Sequence, residues 1–226
     1  MPDDSPSPRA LDEAAWLRRA RAHEARVRAW TDPHQERASR GQRHPVYDFI
    51  FSYYPFRVAR LRQWHPGPDI LLQGPEARRY FNGPEYVVTQ AGVRLNTAAV
   101  PERRLPFLAW LRPFLEASNA RPPFFGCMGL HEWAMVYRLQ PSSIRHAAWP
   151  LRFPPGDVAR FLEAQTIRCS HFDAFRFFAP AARPMNRLQP TRATVPELEQ
   201  CGCLHANMDL YKWAFKLYPF APSDLI

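Results

Sequence analysis

Four short segments of this sequence pair a histidine with a carboxylate, a combination that serves both proton transfer and metal binding. The pairs are His44 with Asp48, His131 with Glu132, His171 with Asp173, and His205 with Asp209. The i, i+4 spacing of the first and last pairs brings both side chains to one face of a helix, and the i, i+2 spacing of the third does so in an extended chain. We therefore expect distant parts of the chain to meet around His131, His171 and His205.

Each pair also has a structural alternative. His44 precedes Pro45 and is placed to cap a helix, and the aromatic neighbours of His131 are typical of a histidine packed in a core. A carboxylate among the phenylalanines that surround Asp173 is costly to bury without a partner or a role, which favours a function there. The alternatives for the aspartates are ordinary ion pairs, from Asp173 to Arg168 or Arg176 and from Asp209 to Lys212 or Lys216.

A proline-rich stretch over residues 180–203 lies between two of these pairs, and long ordered loops in compact domains commonly build sites. Its segment PAARPMNRLQPTR is rich in planar hydrogen-bond donors, which suit a phosphate group or the edge of a base, although a solvated loop has the same composition. The candidate substrate-binding residues here are Arg183, Asn186, Arg192 and, beside His205, Asn207. The remaining histidines are expected to be structural or surface residues: His23, His34, His65 and His146.

Composition narrows the class of protein. The 226 residues are 46% hydrophobic and 14% aromatic, enough apolar surface for a core. No apolar run approaches the ~20 residues of a membrane span, and the N-terminus lacks the pattern of a secretion signal, so we expect a cytoplasmic protein with no membrane partner. The formal net charge is +9, and of 30 basic side chains only Lys212 and Lys216 are lysines. An arginine-rich surface is typical of proteins that bind phosphate, and a GC-rich genome produces the same bias.

The cysteines and the short motifs exclude several familiar sites. Four cysteines are present, and a cytoplasmic location predicts that they are free thiols. Cys201 and Cys203 are separated by one residue, whereas zinc ligands are usually separated by two to four, and the sequence has no second closely spaced pair of cysteines. The sequence contains no Gly-rich phosphate loop, no G-x-S-x-G element and no H-E-x-x-H motif.

Hydrophobic periodicity predicts a mainly α fold, a compact helical domain with a small β-hairpin and long Pro-rich loops. Thr31-Asp32-Pro33 is expected to interrupt the first helix, with Pro33 in the first turn of a short following helix that ends near Gly41, and Asp157 is expected to cap a later one. Residues 1–10 are expected to form a disordered leader before a single globular domain over residues 11–226. The expected helices cover residues 11–31, 105–117, 130–139, 157–165 and 204–217, and the expected strands residues 70–72, 86–89, 93–95 and 166–170.

Five long segments carry a family resemblance that runs along nearly the whole chain from Trp16 onward. They are HPVYDFIFSYY, RQWHPG, GCMGLHEWAMVYR, RCSHFDAFRFFAPAARPMNRLQPTR and CLHANMDLYKWAFKL. They resemble a group of bacterial proteins commonly named 3-methyladenine DNA glycosylase, without a visible helix-hairpin-helix motif. The resemblance implies a DNA-repair hydrolase that removes alkylated purine bases from DNA and needs no metal.

The mechanism that this resemblance implies begins with DNA held by the basic surface. An alkylated base is flipped into an aromatic pocket, where stacking recognises its positive charge. A carboxylate then stabilises the developing sugar cation or activates water. The stacking candidates are Trp133, Tyr137 and Phe175. The catalytic candidates are Asp173, Asp209, His171 and His205.

The competing hypothesis comes from the residues alone and is a metal-dependent oxidoreductase or hydrolase that acts on a small molecule. Histidines and carboxylates from separate helices match the ligands of a non-haem iron or two-metal site. The candidate ligands for iron, manganese or zinc are His44, Asp48, His131, Glu132, His171, Asp173, His205 and Asp209. A third class is a non-enzymatic nucleic-acid-binding module, which requires a continuous arginine face and no convergent polar pocket.

Overall fold

The computed structural model describes residues 9–127, 129–145 and 149–226. This part of the chain forms two compact units: the first runs to Leu105 and takes in Tyr211–Ile226, and the second is Pro106–Leu210. The expectation of one globular domain over residues 11–226 stays a prediction, and each unit has a core of its own. Residues 1–8 of the expected leader lie outside the described residues, and residues 9 and 10 belong to the first strand.

The first unit contains a four-stranded sheet in the order β1-β2-β4-β3. Its strands are β1 (Arg9–Leu11), β2 (Ile70–Leu72), β3 (Tyr86–Val88) and β4 (Val93–Leu95). β1 is parallel to β2, and the other neighbours are antiparallel. The predicted hairpin is confirmed in β3 and β4. Its turn requires Gly92, because φ is 151° there and a side chain would collide with the carbonyl oxygen of Leu72.

Helices cover this sheet and bury two tryptophans. In chain order they are α1 (Glu13–Ser39), α2 (Phe49–Tyr53), α3 (Val58–Arg62) and α4 (Pro75–Tyr80). Trp16 of α1 is fully buried, packs edge-on against Phe81, and donates its indole N–H to the carbonyl of Gln73 at 2.9 Å. Burial of large aromatic side chains against β2 and β4 stabilises this core.

The first helix is longer than the sequence predicts. α1 continues through Pro33, where a break was expected. Proline removes one backbone hydrogen bond, but here Pro33 and its neighbours lie on the exposed side of the helix, where water can replace that bond. The buried side of the same turn is held by Arg62, whose guanidinium donates to Thr31 Oγ1 at 2.8 and 2.9 Å and to Gln35 Oε1 at 2.8 Å. These contacts outweigh the helix-breaking tendency of the proline.

The second unit is helical and supplies all the residues of the site described below. In chain order its helices are α5 (Leu105–Ala120), α6 (Leu130–Val136), α7 (Pro155–Glu163), α8 (Phe172–Phe175), α9 (Val195–Leu198) and α10 (Leu204–Lys216). Leu105 of α5 and residues 211–216 of α10 belong to the first unit. Its core combines side chains of α6, α7 and α8 with Ile167 and Ala182 from the intervening loops. Short helices joined by proline-rich connections are the arrangement that the sequence predicts.

Two local predictions in this unit are wrong. Asp157 does not cap α7, which begins two residues earlier at Pro155, because a proline in the first turn already has the helical φ. Asp157 pairs with Arg160 instead. Residues 166–170 do not form a strand: Ile167 makes a single parallel bridge with Asn186.

The mainly α class is confirmed, with one small sheet beside the helices. The predicted helices over residues 105–117, 130–139 and 204–217 are present with shifted ends. Across the described ranges, every helix is too short or too polar to cross a lipid bilayer.

Candidate functional site

Three histidines from separate elements meet in the second unit. His131 lies in α6, His171 directly precedes α8, and His205 lies in the first turn of α10. The ring centroids of His131 and His205 are 4.5 Å apart, and those of His171 and His205 are 5.3 Å apart. All three side chains are buried. The convergence of these segments is therefore observed, with His205 between the other two rings.

A buried carboxylate orients His171. The Nδ1 atom of His171 lies 3.0 and 2.9 Å from the two carboxylate oxygens of Glu199, and both residues are buried. Arg121 holds the loop of Glu199 by donating to its main-chain carbonyl at 2.7 Å. Because Nδ1–H donates to Glu199, the lone pair of the neutral ring is on Nε2.

Asn186 holds the backbone that leads into His171. Its Oδ1 accepts the N–H of Cys169 at 2.7 Å, and its Nδ2 donates to the Cys169 carbonyl at 2.9 Å and to the Leu188 carbonyl at 2.6 Å. The predicted role of Asn186 was substrate binding. Since its polar atoms bind the main chain and the side chain is buried, the structure assigns it to support of the site instead.

Two aspartates complete a group with His171. One ligand atom from each of His171, Asp173 and Asp209 lies within 4.8 Å of the other two. Asp209 is buried one helical turn after His205 in α10, as the i, i+4 spacing predicts. Asp173 is partly exposed and forms an ion pair with Arg176, whose Nε lies 2.9 Å from its Oδ1, which is one of the ion pairs that the sequence offered as an alternative.

His131 differs from the other two histidines because both of its nitrogens are engaged. Nδ1 lies 3.0 Å from Cys127 Sγ, and Nε2 lies 3.3 Å from Glu132 Oε1. Burial opposes protonation of His131, but these two acceptors outweigh it and raise its pKa to about 9. Hydrogen bonds from Cys169 and from His131 lower the pKa of Cys127 to about 4, although burial opposes this. Both shifts favour the charged pair, a thiolate beside an imidazolium.

His205 is a neutral ring with one nitrogen unused. Burial lowers its pKa to about 4, and the nearby rings of His131 and His171 act in the same direction. Its Nε2 lies 3.9 Å from Glu132 Oε1. Its Nδ1 is buried and, within the described chain, has no hydrogen-bond partner. An unsatisfied buried nitrogen costs roughly 1–3 kcal/mol, so this atom is suited to receive a ligand.

This donor set fits a divalent transition metal. Neutral imidazoles and carboxylates are ligands for iron, manganese and zinc, and a metal-binding histidine usually gives its other N–H to a carboxylate, as His171 does. The candidate metal centre is the name we give to His171, Asp173 and Asp209, whose ligand atoms lie within 4.8 Å of one another, together with the neighbouring His205, whose ring centroid is 5.3 Å from that of His171. His131 and Glu132 form a second such group with His205, with one ligand atom from each within 4.8 Å of the other two, but both nitrogens of His131 already have partners in Cys127 and Glu132.

The fourth predicted pair lies in the first unit and has a different environment. The buried carboxylate of Asp48 accepts from Arg37 Nε at 3.0 Å, from the backbone N–H of His44 at 2.7 Å, and lies 3.0 Å from His34 Nδ1. The Arg37 guanidinium holds the pKa of Asp48 well below its usual value, although burial opposes this. His44 Nδ1 accepts two backbone N–H groups, at 3.1 Å each. These contacts leave neither side chain for a metal, which corrects their assignment as ligands.

The predicted base-stacking residues belong to the hydrophobic core. Tyr137 is buried and its hydroxyl donates to Glu163 at 2.7 Å. Phe175 is buried against Phe178, with ring centroids 5.1 Å apart, and Trp133 packs on the same core. A ring enclosed in a core is not available to stack on a base, so the structure assigns Tyr137 and Phe175 to packing, whereas Trp133 is only partly buried and its stacking role stays a prediction.

The other predicted binding residues lie at the surface. Arg183 and Arg192 are exposed, and Arg183 donates to the Arg176 carbonyl at 3.3 Å. Asn207 Nδ2 donates to the carbonyls of Cys201 and Cys203, at 3.0 and 2.9 Å, so it stabilises the start of α10. The structural role expected for the remaining histidines is seen in three of them: His23 contacts the Leu61 carbonyl, His34 contacts Asp48 and His65 contacts Tyr86. His146 lies outside the described residues.

Sequence reasoning missed Glu199, Cys127 and Cys169. A signal was available for Cys127, which is four residues before His131 and therefore reaches its ring. No local pattern marks Glu199, because 28 residues separate it from His171. Comparisons of the chain with protein-family models, curated proteins and solved structures found no match.

Proposed function

We propose that this protein is a metal-dependent enzyme that acts on a small molecule, with the candidate metal centre holding an iron, manganese or zinc ion. The observation that carries the proposal is the contact of His171 with Glu199. A buried carboxylate that binds one ring nitrogen leaves the other for a metal and fixes the direction of its lone pair. The unused Nδ1 of His205 and the nearby Asp209 support the same assignment.

The side chains around the candidate metal centre have different roles. A bound ion would supply Lewis-acid or redox chemistry. Glu199 keeps His171 in one tautomer, and Asn186 keeps the preceding backbone in place. Asp173 and Glu132 are the more exposed acids of the cluster, so a substrate would approach from their side. Glu132 lies 3.9 Å from His205 Nε2 and is the group nearest solvent that can exchange a proton there.

The first experiment is metal analysis of the full-length protein purified without added metal. We expect close to one equivalent of iron, manganese or zinc, with zinc or manganese favouring hydrolysis and iron favouring oxidation. Asp209→Asn should lower the bound metal to background. Asp157→Asn is the matched control, because this exposed aspartate of α7 pairs only with a surface arginine among its described contacts. Wild-type protein that stays metal-free after incubation with each ion would contradict the proposal.

Removal of alkylated purines is the second candidate function, and the observation that favours it is the proximity of two carboxylates. Asp173 and Asp209 both approach His171, and one of them could stabilise a sugar cation without any metal. The net charge of +9 suits a DNA partner. Release of 3-methyladenine from alkylated DNA, measured with and without a chelator, separates the two candidates. Release that survives chelation and disappears in Asp209→Asn would favour the glycosylase.

A further inference from the structure

Beside the candidate metal centre, two cysteines and a histidine form a second cluster with different chemistry. Cys127 lies just before α6, and its sulfur is 3.0 Å from His131 Nδ1. One ligand atom from each of Cys127, His131 and Cys169 lies within 4.8 Å of the other two, so the two sulfurs are neighbours. Cys127 is partly exposed, whereas Cys169 is buried. Both cysteines are free thiols.

In this arrangement His131 can activate the sulfur of Cys127, and Cys169 is the second cysteine that can react with it after oxidation. The Nδ1 atom of His131 lies next to Cys127 Sγ, and an N–H on that nitrogen stabilises negative charge on the sulfur. Cys169 is buried, and its Sγ lies 3.7 Å from the carbonyl oxygen of His171. Oxidant-sensitive cysteines share these features: an accessible thiolate beside a second cysteine that can trap its oxidised form.

We propose that Cys127 is an oxidation site for hydroperoxides and that Cys169 resolves it to a reversible disulfide. The inference is independent of the proposed function, because neither cysteine belongs to the candidate metal centre. It requires that the sulfurs close from within 4.8 Å to the about 2 Å of an S–S bond. The segment of Cys169 is anchored by Asn186, so most of the movement falls on Cys127.

The reaction proceeds in two balanced steps. The Cys127 thiolate attacks one oxygen of hydrogen peroxide, an S–O bond forms, the O–O bond breaks, and the departing hydroxide takes a proton from His131 to leave as water. The thiol of Cys169 then attacks the sulfur of the Cys127 sulfenic acid. The S–S bond forms, the S–O bond breaks, and hydroxide leaves as a second water with the proton of Cys169. Two thiols lose two electrons in total, and one peroxide becomes two water molecules.

The test exposes the full-length protein to a small excess of hydrogen peroxide and maps its cysteines by mass spectrometry. We expect a Cys127–Cys169 disulfide that dithiothreitol reverses. In Cys169→Ser the intermediate should persist as a sulfenic acid on Cys127 that dimedone traps. Cys201 is the internal control because it is an exposed cysteine with an ordinary environment, and Cys127 should react roughly tenfold faster.

His131→Asn separates activation from simple accessibility. We expect this variant to slow the oxidation of Cys127 to the rate of Cys201 while its circular dichroism spectrum stays that of the wild type. If the variant fails to fold, the ratio of the oxidation rates of Cys127 and Cys201 in the wild-type protein still tests the proposal. The proposal is overturned if Cys201 reacts as fast as Cys127, or if peroxide yields no Cys127–Cys169 disulfide. It is also overturned if the purified protein holds a zinc ion that Cys127→Ser releases, since the sulfur is then a ligand.

Discussion

Asp48 in the first unit and His205 in the second come from sequence pairs with the same i, i+4 spacing, yet their environments are opposite. Asp48 is buried with every contact supplied by its own unit: a guanidinium, an imidazole and a backbone N–H. His205 is buried with one nitrogen that no described residue contacts. The comparison teaches that spacing alone does not mark a functional pair. The buried Nδ1 of His205 is open to a ligand, whereas the atoms of Asp48 are already occupied by partners.

The largest effect should separate the histidines of the two regions. His171→Ala and His205→Ala each remove a ligand from the candidate metal centre, so bound metal should fall to background in elemental analysis. His44→Ala should retain the wild-type content, because its ring nitrogen binds only backbone N–H groups. Equal loss of metal in all three variants would remove the distinction between the regions.

Asp48→Asn tests how much the buried contacts of Asp48 stabilise the first unit. Removing the charge leaves Arg37 without its main partner, and breaking a buried pair of this kind costs about 3 kcal/mol. Hydrogen exchange of α1 amides measures the loss. Asp32→Asn on the same helix is the control: its pair with Arg62 involves an aspartate that is 52% exposed, and we expect less than about 1 kcal/mol. Similar effects of both substitutions would show that burial of Asp48 has no special role.

The same carboxylate predicts how stability depends on pH. Because the folded pKa of Asp48 is lowered from the ordinary value of 3.8, its contribution is full above that value and is lost as the pH falls toward the folded pKa. Asp48→Asn cannot titrate, so the difference between variant and wild type should narrow below about pH 4. Hydrogen exchange or urea unfolding at pH 7 and pH 3 measures this difference in stability. A difference that stays constant over this range would contradict the charge-based explanation.

Glu199→Gln tests whether the contact of Glu199 with His171 contributes to metal affinity in the second unit. The amide can still contact His171 but no longer favours Nδ1–H, so metal affinity should fall about 10- to 100-fold. Competition with a fluorescent chelator measures the change. Glu197→Gln changes an exposed residue two positions earlier and should leave the affinity unaltered. An unchanged affinity in Glu199→Gln would mean that the buried contact serves stability alone.

The smallest effect is expected for His44→Ala. Its Nδ1 accepts the N–H groups of Val46 and Tyr47, a capping contact that contributes about 1 kcal/mol. Asp48 keeps the backbone N–H of residue 44 in the variant, so its other contacts remain. A thermal unfolding curve measures the change. A loss as large as that in Asp48→Asn would mean that the imidazole does more than cap the turn.

Local patterns predicted the elements of this fold better than their ends. Periodicity located α5, α6 and α10, and Gly92 marked the hairpin, because these signals depend on neighbours within about one or two turns. Pro33 failed as a helix stop, since Arg62 from outside the helix holds that turn through its hydrogen bonds to Thr31. Asp157 failed as a cap because Pro155 begins α7 first.

The chain itself specified which histidines have carboxylates within reach, since side-chain spacing on a helix follows directly from residue number. It did not specify whether those carboxylates would find other partners. The long-range contacts of Arg37 with Asp48 and of Glu199 with His171 settled that, and both depend on packing between segments 11 and 28 residues apart. Local geometry fixes adjacency along a helix, whereas desolvation and hydrogen-bond satisfaction are properties of the folded neighbourhood.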